Sequence, residues 1–112
     1  MSNIDEVLRY SDLLNIYQNL LTKTQKEILE DYFFYNLSLS EIAENRNISR
    51  SAVEDAIKKG KKKLDNFEKE IGSLKILSLV TELKNKTKDP DELSKLEQIE
   101  RIIKHGIWIL KW

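Results

Sequence analysis

Five lysines crowd the six positions from 58 to 63: Lys58, Lys59, Lys61, Lys62 and Lys63, interrupted only by Gly60. Ammonium groups at that density can neutralise a phosphate backbone, a contact that positions a nucleic acid without reading its bases. Just ahead of them stand Ser49, Arg50, Ser51 and Glu54. Arg50 and Ser51 suit phosphate or guanine; a carboxylate such as Glu54 or its neighbour Asp55 accepts from cytosine N4 but is repelled by every phosphate nearby. An equally physical alternative is a solvated face, with the lysines balanced by Asp65, Glu68 and Glu70. Covalent chemistry finds no comparable group. His105 is the one histidine, there is no cysteine, and no serine sits beside a recognisable base. The run KKGKKK lacks the paired glycines and the Lys-Ser or Lys-Thr of a phosphate-cradling loop. The expectation is a non-enzyme with no catalytic residue, no metal site and no cofactor.

The elements that must hold these residues read as a helix-turn-helix over residues 38–64. Ser38 and Glu41 form an S-x-x-E capping box, each side chain satisfying a free backbone N–H at a helix start. Leu39, Ile42 and Ala43 give a short inner face, with Ala43 small enough for a helix crossing. Asn47 occupies the turn, where a left-handed residue is needed. Ile48 anchors the turn, and Ser49 caps a second helix that buries Ala52, Val53, Ala56 and Ile57.

LSLSEIAENRNISRSAV resembles the final DNA-binding region of bacterial sigma-70 factors, which carries a similar L-x-E-I-A…S-R pattern. From about Arg9 to Leu74, LLNIYQNLLTKTQKEILEDYFFYNLSLSEIAE followed by ISRSAVEDAIKK is similar to the YlxM family of small bacterial proteins. That resemblance implies a sigma-region-4-like helix-turn-helix and, through gene neighbourhood, a tie to the signal recognition particle pathway. The segment after Leu74 gives no comparable match. Glu54 and Asp55 depart from the sigma pattern, which commonly carries Arg and Gln there; YlxM-like proteins commonly have an aromatic or His before the Asp, where this chain has Glu54. Tight promoter recognition is therefore not expected.

The rest of the chain supports an all-α fold, with helices expected over 4–21, 23–35, 39–46, 50–85 and 90–111. Ile4, Val7, Leu8, Leu14, Tyr17 and Leu21 share one stripe, and Thr22 with Gln25 makes a second capping box. Tyr32, Phe33, Phe34 and Tyr35 form an aromatic cluster that suits a core better than base stacking. Val53, Ile57, Gly60, Leu64, Phe67, Ile71 and Leu74 make a heptad seam along one long helix, to be buried throughout. Gly60 and Gly72 interrupt it, for either close contact or a bend. Asp89-Pro90-Asp91-Glu92 starts a C-terminal return helix, with Leu93, Leu96, Ile99, Ile103, Ile107 and Leu110 on one side. Residues 1–74 are read as the helix-turn-helix domain and 75–112 as a helical extension. The seam and the terminal Ile107, Trp108, Ile109, Leu110 and Trp112 point to a homodimer.

The 112 residues carry no net charge, yet residues 48–69 hold seven basic and four acidic groups against four and eight in residues 1–47. The start MSNIDEVLRY has neither the basic region nor the apolar core of a signal peptide, and no apolar run reaches membrane-spanning length. A cytoplasmic protein off the membrane is expected. Three functions fit: a regulatory DNA-binding protein, an accessory of the signal recognition particle contacting its RNA or GTPase, or a protein-interaction module that no longer reads DNA.

Overall fold

The computed structural model describes residues 4–105, the side chain of His105 excepted. Six α-helices follow one another: α1 Ile4–Tyr17, α2 Lys23–Phe33, α3 Leu39–Arg46, α4 Arg50–Ile71, α5 Ser73–Lys86 and α6 Pro90–His105, with a 3-10 turn Gln18–Leu20 after α1. No strand occurs among the described residues. The chain divides into two compact units, Met1–Glu70 and Ile71–Trp112.

Local chemistry sets most boundaries of the first unit. Thr22 and Gln25 close the expected capping box on α2, and Ser38 and Glu41 close the one on α3. The helix expected over 4–21 stops at Tyr17, where the Gln18 side chain donates to the Asn15 carbonyl and Leu21 N–H to the Gln18 carbonyl, tightening the last turn. The helix expected to reach residue 35 ends at Phe33; Asn36 takes a left-handed φ of 53° and reverses the chain. Leu13, Leu14, Tyr17, Ile28, Leu29, Phe33, Ile42, Ala43, Val53, Ile57 and Leu64 make the core. Leu13 belongs to it although it lay off the expected stripe, whereas Ile4 and Leu8 are exposed. The early turns of α1 meet α4 through charge instead, as Glu6 pairs with Lys61 and Arg9 with Asp65. Of the four clustered aromatics, Phe33 is buried, with Tyr10 stacked at 5.4 Å and Tyr32 edge-on at 5.0 Å. The cluster is core at its centre, and Tyr35 lies outside it, exposed.

The expected long helix 50–85 is two helices. Gly72 has a φ of +76° with open space around it, the left-handed residue that ends a helix without the penalty of a Cβ. Gly60 does the opposite job: a Cβ there would lie 2.7 Å from Leu29 Cδ1 and 3.0 Å from both Cδ2 and Cγ, so the Leu29 side chain of α2 fills the space beside the α4 backbone. The seam is buried at Val53, Ile57, Gly60 and Leu64, half-buried at Phe67 and Leu74, and 50% exposed at Ile71. Burial thus closes four residues after Gly60, not at Leu74 as expected, because beyond Leu64 the facing side chain is Tyr17, which brings a ring to Phe67 and a hydroxyl to Glu68. Ala52, expected inside, points outward.

In the second unit α6 packs back on α5, and Lys84 of α5 reaches Glu100 of α6 at 2.7 Å. The start of α6 is as expected: Asp89 Oδ1 accepts from the Asp91 N–H at 3.0 Å, with Pro90 opening the helix. The expected continuation to residue 111, with Ile107, Trp108, Ile109, Leu110 and Trp112, lies outside the described residues.

Chemical denaturation of two variants checks this packing. Gly60→Ala gains about 1 kcal/mol of helix propensity but forces a methyl into the buried Leu29, and overpacking of that kind costs about 1–3 kcal/mol. A net loss of up to about 2 kcal/mol is expected. Ile71→Ala, at a half-exposed site, is expected to cost under about 1 kcal/mol, below the ~2–5 kcal/mol of an enclosed aliphatic.

Candidate nucleic-acid interface

The helix-turn-helix is α3, the turn Asn47–Ser49 and α4. Its turn closes as a Schellman motif: Ile48 N–H donates to the Ala43 carbonyl at 3.0 Å and Asn47 N–H to that of Glu44 at 3.3 Å, with Asn47 left-handed at φ 54°. Ser49 then caps α4, its hydroxyl oxygen accepting the Ala52 N–H at 3.0 Å. Ala43 is buried at the crossing. Each device was legible in the sequence.

A clasp that sequence reading missed fixes α3 on α2. Arg46 donates to Asp31 at 2.8 Å and to Glu27 at 3.1 Å, two carboxylates one turn apart on α2. Burial alone would lower the guanidinium's pKa, but the hydrogen bond and charge of Asp31, then those of Glu27, outweigh it and raise it. The only signal in the sequence is an acidic i, i+4 pair upstream of a lone arginine. At the start of α3, the Glu41 carboxyl is held below the usual range, first by the Ser38 backbone N–H and then by the Ser38 hydroxyl.

The structure does not gather the expected lysines into one patch. Lys61 turns inward, pairing with Glu6 and lying 5.0 Å above the Tyr10 ring. Lys63 donates to Gln25 Oε1 at 3.1 Å, on the capping residue of α2. Lys59 pairs with Asp55 at 3.0 Å along α4. Lys58 and Lys62 are exposed and carry no ion pair among the described residues, and Arg50, Ser51 and Glu54 are likewise exposed at the head of the helix. Lys69, which sequence reading counted only in a total, is exposed too.

The acidic groups expected to balance the lysines are engaged elsewhere. Asp65 accepts the Tyr10 hydroxyl at 2.7 Å and Arg9 at 3.2 Å, and Glu68 accepts the Tyr17 hydroxyl at 2.7 Å. Both carboxylates therefore face α1. Of the three, Glu70 alone is exposed. Burial, then donation to Asp65 and the nearby negative charge, push the Tyr10 phenol up to about 12. No group of three or more His, Cys, Asp or Glu is placed to hold a metal ion among the described residues. Nor is any described helix long and apolar enough to cross a membrane.

Residues 4–105 match the model of the family UPF0122, a helix-turn-helix protein family described as YlxM / p13 like. A UPF0122 protein of Malacoplasma penetrans is 41% identical over 85% of this chain and 89% of its own length. One from Fusobacterium nucleatum is 40% identical over 91% and 96%. The Bacillus subtilis UPF0122 protein YlxM is 35% identical over 86% and 87%.

The Tyr10–Asp65 contact has a pH signature. A tyrosine whose folded pKa is raised adds stability that is complete below its unfolded value of ~10 and is lost as pH rises through the folded value of about 12. Phenolate absorbance is expected to show an ionisation step near the higher pH that is missing in Tyr10→Phe.

Proposed function

Since the chain belongs to the YlxM / p13-like helix-turn-helix family UPF0122, we propose that it is a non-enzymatic regulatory accessory protein that holds nucleic acid weakly, by its phosphates. The observation that carries this reading is the division of cations on α4. Lys59, Lys61 and Lys63 are used within the fold, while Arg50, Lys58 and Lys62 stay exposed beside Ser51 on a helix-turn-helix. Charge without a base-reading set supports positioning contacts more than specifying ones. Glu54 and Asp55, in the first turns of α4 where such helices meet base edges, weigh against a promoter-reading transcription factor.

The ligand we favour is the one the family resemblance implies, the RNA of the signal recognition particle, with its GTPase as protein partner; genomic DNA is the alternative in the same chemistry. A module that binds only protein is the remaining reading, favoured by a net charge of zero. The protein acts in the cytoplasm and off the membrane in this proposal. A homodimer completes it, with Ile76, Leu79 and Leu83 giving α5 an exposed apolar stripe.

Capture of the intact protein from native lysate, with bound nucleic acid sequenced and bound protein identified, separates these ligands. Signal recognition particle RNA or its GTPase is expected; enriched genomic DNA moves the protein to the transcriptional class, and protein alone removes the nucleic-acid reading. Sedimentation across a micromolar range is expected to show a species of twice 13.2 kDa; a monomer at every concentration removes the dimer.

A further inference from the structure

The outward edge of α4 can be drawn from its buried one. Val53, Ile57, Gly60 and Leu64 mark the inner side. At about 100° per residue, Ser51, Asp55, Lys58, Lys62 and Lys69 fall roughly opposite, and the three lysines lie within about 40° of one another over roughly 16 Å of helix. All five are exposed. This ridge is not uniform. At its N-terminal end Asp55 is neutralised by Lys59, and Glu54 stands beside it without a partner among the described residues. Beyond Asp55 the ridge carries three lysines and, between Lys62 and Lys69, the exposed Asn66.

Two of the three acids that would cancel those lysines are turned away; Glu70, next to Lys69, is exposed. Asp65 and Glu68 are on the α1 side of the helix, bonded to Tyr10, Arg9 and Tyr17. Lys61, in the middle of the run, is likewise drawn to that side by Glu6 and the Tyr10 ring. On its own side of α4, α1 thus engages two negative charges and one positive, while Lys58, Lys62 and Lys69 carry no ion pair among the described residues.

We infer that the phosphate backbone of a duplex nucleic acid crosses α4 at its middle and C-terminal half, over Lys58, Lys62 and Lys69, and not at the N-terminal end from which a helix-turn-helix ordinarily reads bases. Lys69 is then a phosphate-contacting residue, and binding is blind to sequence because the carboxylate-bearing end of the helix is kept off the duplex. The inference rests on the phosphate-binding reading above and adds where on the helix the contact lies.

The test is a salt titration of binding by the full chain, with a random-sequence DNA duplex and an RNA duplex of the same sequence as probes. Each phosphate neutralised on B-DNA contributes about −0.9 to the slope of log K against log salt. Lys62→Ala and Lys69→Ala are each expected to flatten the DNA slope by about 0.9, to weaken all sequences alike, and to act in the same direction on RNA. The duplex held more tightly by the wild type names the source. Lys88→Ala, in the connector between α5 and α6, is expected to leave the slope unchanged, and circular dichroism confirms that each variant folds. If Arg50→Ala flattens the slope while Lys69→Ala does not, the contact lies at the N-terminal end: the displaced site is overturned and phosphate binding stands. If the wild type retains neither duplex at low salt, both fall together.

Discussion

The missing side chain at Gly60 decides how near α4 can lie to α2. Leu29 fills the space a β-carbon would take, with all three of its branch atoms at or within 3.0 Å of that point. At this distance Val53, Ile57 and Leu64 seal fully against the other helices, and the side chains of α1 reach α4 with Glu6, Arg9, Tyr10 and Tyr17. A wider crossing would separate the hydroxyls of Tyr10 and Tyr17 from their carboxylates. The polarity of the outer surface depends on the same spacing, because it is α1 that withdraws Asp65 and Glu68 from it.

Capping and turn chemistry could be read from sequence because it is local. The partners in the Thr22 and Ser38 capping boxes lie three residues apart, and the Schellman turn at Asn47 spans six. What could not be read were pairings between distant positions. Lys61 and Glu6, or Asp65 and Tyr10, are separated by 55 residues, and nothing in a lysine-rich run says which member will be drawn inward. Helix periodicity gave the seam its direction but not its length, since burial is complete only to Leu64 and Ile71 is 50% exposed. The two glycines of the seam look alike in a sequence. One serves a contact and the other a reversal of φ, and only the packing partner and the backbone tell them apart.

The helix-turn-helix thus combines a common frame with an uncommon surface. The frame is held by the Arg46 clasp, by the Ser38 and Ser49 caps and by a left-handed asparagine. The outward residues are under separate control. Exposed carboxylates near the start of α4 and exposed lysines further along it give one helix two electrostatic characters, and a polyanion meets them differently. Membership of a helix-turn-helix family therefore says less about a ligand than the direction each charged side chain takes.

The close fit of Leu29 against Gly60 also bears on how such a sequence can drift. A methyl at position 60 becomes acceptable only when position 29 shrinks, so the order of two substitutions matters: Leu29→Val first opens room, whereas Gly60→Ala first creates a clash. Position 72 has no such dependence, because a Cβ there would meet no atom within 4 Å beyond its own chain neighbours. Its limit is backbone conformation alone, and asparagine, which already serves at positions 36 and 47, can replace glycine there without any partner changing. Of two glycines in one seam, one is bound to a second locus and the other evolves alone.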